Sequence, residues 1–132
     1  MAAGIVAAGL WAAAEPALGR ALGVPWYSDR RLLGGLFRVG PAGALGIHLA
    51  NGALFGVTFE RLGFRGPVTG VLLAQSESVA LWPTMAVVDR VHEDRSSGEW
   101  PPLAPNPRVF AYEVAVHALF GAALGMLLGR RA

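Results

Sequence analysis

The longest apolar run in the sequence constrains the fold most. Val39 to Phe59 covers 21 residues and holds one titratable side chain, His48. Coiled as a helix at about 1.5 Å per residue, such a run crosses the roughly 30 Å hydrocarbon layer of a bilayer. Lipid offers no hydrogen bonds, so the backbone must satisfy its own N–H and C=O groups, and a single segment does that only as a helix. Pro41 falls in the first turn, where a missing N–H does no harm, while Glu60, Arg61 and Arg65 mark the exit.

Three further stretches fit the same description less cleanly. Residues 2–23 are equally long but Ala-rich, with Glu15 and Pro16 inside; Met1 to Ala14 has no positively charged leader, which argues for a first span over a cleaved signal. Residues 66–88 are apolar around a polar centre, Gln75, Ser76, Glu77 and Ser78, with Trp82 and Pro83 toward the end. A central carboxylate costs about 2.5 to 3.5 kcal/mol on insertion scales, and neighbouring Leu and Val residues each return about 0.3 to 0.6, so the span survives. Residues 108–129 form the fourth, with Asn106 and Pro107 as N-cap and first helical position and Arg130 and Arg131 closing it.

The segments between carry the punctuation. Trp26 and Tyr27 suit the headgroup level. From Ser28 to Arg38, Leu32, Leu33, Leu36 and Phe37 alternate with Arg30, Arg31 and Arg38 at near-helical spacing, which predicts a short amphipathic helix on the membrane surface, capped by Ser28. Residues 89–107 form a polar connection ending in Pro101, Pro102, Pro105 and Pro107, a density that forbids helix there. The expected fold is therefore all-α: one transmembrane domain over residues 1–132, a four-helix bundle of two helical hairpins with an interfacial helix after the first span.

Composition agrees with lipid as solvent. Charged residues make up 15% of the chain against about 25% in soluble domains, and the hydrophobic fraction is 54%. All 11 basic residues are arginine, scattered between or beyond the apolar stretches, so no basic face exists for nucleic acid. Arg30, Arg31, Arg38, Arg90, Arg95 and Arg108 fall on one side against Arg61, Arg65, Arg130 and Arg131 on the other, which places the two larger connections in the cytoplasm and the chain in the inner (plasma) membrane. With no cysteine there is no disulfide and no thiolate site.

The 18 glycines are not scattered at random. His48, Gly52 and Gly56 stand four residues apart, as do His117, Gly121, Gly125 and Gly129, and both series carry a carboxylate in phase, Glu60 and Glu113. Positions i, i+4 and i+8 share one helical face, so each stripe offers a groove for a neighbouring backbone, the contact that holds helices together in lipid. The echo predicts an internal repeat in which spans two and four are equivalent. A first span ending in Leu22, Gly23, Val24 and Pro25, a second carrying His48, Asn51, Gly52, Phe55 and Gly56, and a restart at Gly66 and Pro67 together resemble small bacterial multi-span membrane proteins of unassigned function, including YagU-like proteins, over roughly residues 4 to 88. That resemblance implies a membrane location and a helical fold, and no activity or site.

The candidate site is a set of intramembrane polar groups, Glu15, His48, Glu77, Glu113 and His117. Ionisable residues at such depth are costly and point to ion or proton pathways. Glu15 and Glu77 read as the deeper pair, facing the bundle interior opposite His48 and His117, either as a cation or proton site or, equally, as carboxyls kept neutral by desolvation that serve only as hydrogen-bond donors. Glu113 and His117, one turn apart, read first as a structural clasp or a wet carboxylate, because Arg108 and Tyr112 place that turn near an interface, and second as a proton relay. Asp89, His92, Glu93 and Asp94 read as a solvated helix end rather than a metal site, given Arg90 and Arg95 beside them. Ser76 and Ser78 lack a nucleophile elbow or triad partners, and no lysine is present to complete a phosphate loop. No catalytic residue, cofactor or metal is assigned. The first functional reading is a non-enzymatic structural or accessory subunit, a homo-oligomer or a partner of another membrane protein, joined through the stripes. The alternative is a proton- or cation-conducting transporter or channel subunit using the intramembrane Glu and His residues.

Overall fold

The computed structural model describes residues 1–130 and is all-helical over them. Four helices are long and apolar enough to cross a membrane: α1 (Ala2–Ala21), α3 (Pro41–Arg61), the composite Pro67–Val91, and α7 (Pro107–Gly129). The composite consists of α4 (Pro67–Leu81), a 3-10 turn (Trp82–Thr84) and α5 (Met85–Val91). Pro83 sits in that turn and supplies no N–H, and the Thr84 hydroxyl donates to the Leu81 carbonyl at 2.6 Å. Pro16, by contrast, lies inside α1 without ending it.

Two short helices fill the connections. α2 (Asp29–Phe37) starts where Ser28 Oγ accepts the Arg31 N–H at 3.1 Å and stops at Arg38, whose left-handed backbone (φ 52°) closes the last turn. α6 (Glu93–Ser96) interrupts the expected loop of residues 89–107, which thereby shrinks to the proline-rich stretch before Asn106. Asn106 caps α7 by accepting the N–H groups of Arg108 and Val109. The third span runs to Val91 and the second to Arg61, each two or three residues beyond the apolar run, because a helix continues until its capping signal and not until its first charge.

Packing proceeds in two close pairs. α1 lies on α3 and α4 lies on α7, with α1 and α7 joining the pairs at the centre. Glycine makes both contacts possible. A Cβ at Gly52 would fall 2.8 Å from the Gly4 carbonyl oxygen, and one at Gly56 2.8 Å from the Gly4 Cα. In the second pair, a Cβ at Gly121 would fall 2.8 Å from the Val71 Cα, and one at Gly125 2.9 Å from the Pro67 Cα. Such backbone approach gains van der Waals contact that larger residues would forbid. It even admits a hydrogen bond between helices, from Gly66 N–H to the Gly125 carbonyl at 3.2 Å. Gly129 differs from the other four, since its nearest neighbour in space, the Gly66 nitrogen, is 3.9 Å from an added Cβ. Both glycine faces are thus occupied by helices of the same chain.

The two outer helices, α3 and α4, do not pack against each other to a comparable extent. Apolar side chains meanwhile stay exposed around the periphery, among them Leu10, Leu54, Val68, Leu72, Val79 and Met126. In water, apolar surface spread over all four long helices favours aggregation; in hydrocarbon it is the expected exterior.

Candidate functional site

The gap between α3 and the α4–α5 composite is a cavity of about 360 Å³. Its back is formed by α1 and α7, through Trp11 and His117, and one end is covered by α2. At about 1.5 Å of rise per residue, Glu77 and His117 stand roughly 15 Å from the starts of their helices, near the middle of a bilayer-sized span.

Trp11 organises the back wall. Its ring meets His48 edge-on at 5.0 Å between centroids and His117 at 4.7 Å, so one indole bridges the two helix pairs. The His48 ring is held from both sides: Nε2 lies 2.9 Å from the Ala8 carbonyl and Nδ1 2.6 Å from Asp29 Oδ2. Both ring nitrogens face oxygen atoms, so His48 ties the start of α2 to α1. His117 Nδ1 donates to the Glu113 carbonyl at 2.7 Å and lies 3.4 Å from its carboxylate.

The four sequence-identified residues His48, Glu77, Glu113 and His117 line this cavity, and Glu15 does not. Glu15 sits in a separate buried cluster at the same end as α2. Its Oε2 accepts the Asp29 N–H at 2.7 Å and the Tyr112 hydroxyl at 2.8 Å, and Oε1 accepts Arg30 Nε at 3.3 Å. Three hydrogen bonds converge on this carboxylate, so Glu15 fastens α1, α2 and α7 together. The pairing of Glu15 with Glu77 as equivalent groups opposite the histidines is therefore corrected: α1 presents Trp11, not Glu15, to the cavity.

Of the two structural settings expected for Glu113, a clasp between segments or a wet carboxylate, the geometry is that of the clasp. Glu113 is only 5% exposed, and its Oε1 accepts the Tyr27 hydroxyl at 2.6 Å. Burial and the neighbouring Glu113 carboxylate push the Tyr27 phenol well above its ordinary pKa, so it remains a neutral donor. Tyr27 is thereby a core residue instead of a headgroup anchor. Its position after Gly23, whose left-handed backbone (φ 74°) turns the chain, brings it back under α7.

Glu77 stands apart. Among the described residues it has no hydrogen-bond or ion-pair partner, although Gln75 two positions earlier reaches across to the Val114 carbonyl at 2.6 Å and Ser76 bonds its own helix at Leu72. Its carboxylate is half-buried and shares the cavity with Asp29 and Glu113. No arginine lines that space.

The acidic stretch at residues 89–94 is structural. Asp89 accepts the N–H groups of Leu103 and Ala104 at 2.7 and 2.9 Å and pairs with Arg95 at 3.1 Å. His92 is fully buried: Nε2 faces the Arg31 and Leu32 carbonyls, Nδ1 accepts the Asp94 N–H, and the ring stacks on Trp100 at 4.4 Å. The ring occupies the space a Cβ at Gly35 would fill, 2.9 Å from His92 Cδ2. These two residues are thus not part of a solvated helix end; they clamp α2 and the proline-rich stretch to the end of α5. Among the described residues, no group of three or more His, Asp or Glu side chains is gathered closely enough to hold a metal ion.

Sequence reasoning missed Asp29, Trp11, Tyr27 and Tyr112. Asp29 looked like the first residue of a surface helix, and the tyrosines meet their carboxylates across 86 and 97 residues, distances no local spacing encodes. The fold and site define an all-helical protein with four bilayer-length apolar helices around a carboxylate-bearing cleft. No protein-family model, curated protein or solved structure matches the chain.

Proposed function

We propose that this chain is a multi-pass protein of the inner (plasma) membrane that binds a cation in the cleft between α3 and α4–α5, acting as a carrier or channel subunit and not as an enzyme. The observation that carries this reading is Glu77, a mid-span carboxylate facing a cavity without a protein partner. An intramembrane charge is expensive enough that an unpaired one calls for a ligand or a proton. The surrounding groups sharpen the case: Asp29 is matched by His48 and Glu113 by Tyr27, which leaves Glu77 as the unmatched acceptor.

In this reading the two helix pairs are two hairpins of one bundle, and α2 lies at the membrane surface on the arginine-rich side. The resemblance to YagU-like proteins belongs to the same proposal and adds only the membrane location. An accessory subunit that assembles through its glycine faces is less well supported, because those faces are filled from within the chain. The test is ion flux in liposomes containing the purified full-length chain, under gradients of protons, sodium, potassium and a quaternary ammonium ion. Flux that disappears in Glu77→Gln is expected; no flux under any gradient would refute the carrier reading.

A further inference from the structure

We propose that the cleft takes a monovalent organic cation bearing aromatic or alkyl surface, with the Glu77 carboxylate as its counter-charge. This rests on the cation-binding reading above and names the class of ligand.

Size favours an organic ligand. A bare inorganic cation needs a close shell of oxygen ligands, about six to eight for calcium, and among the described residues no three His, Asp or Glu side chains gather closely enough to begin one. A cavity of about 360 Å³ lies instead in the range that suits a small organic molecule, about 300 to 1,000 Å³. Its walls supply the second argument. Phe55 and Phe120 meet edge to face at 5.4 Å between centroids on one side, Trp11 stands behind them, and Leu36, Leu81 and Trp82 add apolar surface, with Asn51, Ser78 and Thr84 as the uncharged polar groups. Apolar and aromatic walls bind a poorly hydrated cation through dispersion and ring quadrupoles, and offer a small, strongly hydrated ion nothing in exchange for its water.

Charge decides between organic ligands. Asp29, Glu77 and Glu113 face the space, and the only basic groups there are His48, committed to Asp29, and His117, whose Nδ1 is committed to the Glu113 carbonyl. An anion would meet the unpaired Glu77 carboxylate. A neutral lipid tail would fill the apolar part and leave Glu77 still unpaired in a medium of low dielectric. A hydrophobic cation satisfies both the walls and the carboxylate. Because binding needs an ionised Glu77, protons compete with the ligand, and affinity falls as pH is lowered. The charged or titratable groups that share the cavity with Glu77 are Asp29 from α2, His48 from α3, and Glu113 and His117 from α7; α1 contributes only the uncharged Trp11 and Ala8.

The test uses the full-length chain in detergent and tetraphenylphosphonium as probe, followed by titration calorimetry. Saturable binding is expected, at least tenfold weaker in Glu77→Gln, with about 3- to 30-fold loss in Phe55→Ala from the missing aromatic wall. Triphenylphosphine oxide, similar in shape and uncharged, is expected not to bind. Equal binding of the neutral compound, or unchanged affinity in Glu77→Gln, would overturn the proposal. Phe55→Ala keeps every charge, so it reports on the walls even if Glu77→Gln proves poorly folded. Absence of tetraphenylphosphonium binding together with Glu77-dependent flux of sodium, potassium or protons would sink this inference while sparing the carrier reading; absence of both would remove the two together.

Discussion

The α1/α3 pair and the α4/α7 pair share one construction and differ in how they treat their buried charge. Each is closed by glycines that let backbones touch, Gly4 against Gly52 and Gly56 in one, Gly66 and Gly70 against Gly121 and Gly125 in the other. Each second helix places a histidine one turn before its glycines. In the first pair the carboxylate, Glu15, accepts three hydrogen bonds and joins α1 to α2 and α7. In the second pair Glu77 accepts none among the described residues. The difference teaches that a carboxylate at membrane depth is not in itself a site: the same residue type is a fastener where donors converge and is left free to take a ligand or a proton where they do not.

Breaking the first half of that comparison gives the largest effect. Glu15→Ala strands the Tyr112 hydroxyl and the Asp29 N–H and is expected to lower stability by about 2 to 4 kcal/mol, the cost of leaving two donors unsatisfied, with the partly exposed Arg30 adding little, as read from unfolding in detergent. Glu77→Gln removes no protein contact and is expected to leave unfolding within about 0.5 kcal/mol of the parent. Were the two variants equally destabilised, the distinction between fastener and free carboxylate would fail.

The shared glycine seams come next. Gly121→Ala drives a methyl into the Gly70 carbonyl and the Val71 Cα and is expected to cost about 2 to 3 kcal/mol, near the top of the range for overpacking because backbone on both sides must separate. Gly129→Ala meets nothing closer than 3.9 Å and is expected to be neutral or stabilising by up to about 1 kcal/mol, through helix propensity alone. Thermal unfolding of the two side by side separates a true seam position from one that merely shares its spacing. A smaller perturbation sharpens the second pair. Tyr27→Phe leaves the buried Glu113 Oε1 without its donor, with an expected loss of about 1 to 2 kcal/mol and no loss of overall helix content by circular dichroism.

How much of this was legible in the sequence follows from the range of each signal. The four apolar helices, the Ser28 cap, the Asn106–Pro107 start and the small-residue faces are written in spacings of one to four residues, and the structure places its helices there. The rotation of each helix about its axis was harder to read, because helices apolar nearly all round carry little periodic contrast. That is why Glu15 is grouped with Glu77 on sequence alone, and why a clasp and a wet setting stay open for Glu113. The clamp of His92 against Gly35, with Trp100 stacked on the ring, joins segments some 60 residues apart, and only the folded chain reveals it.

Trp11 has a practical consequence. The indole lies against two imidazoles at the back of the cleft, and protonated imidazole quenches indole emission by electron transfer at such contact. The molecule therefore carries its own optical gauge. With Trp26, Trp82 and Trp100 replaced by phenylalanine, the brightness and colour of the remaining fluorophore would register whatever enters or leaves beside it, without any attached dye.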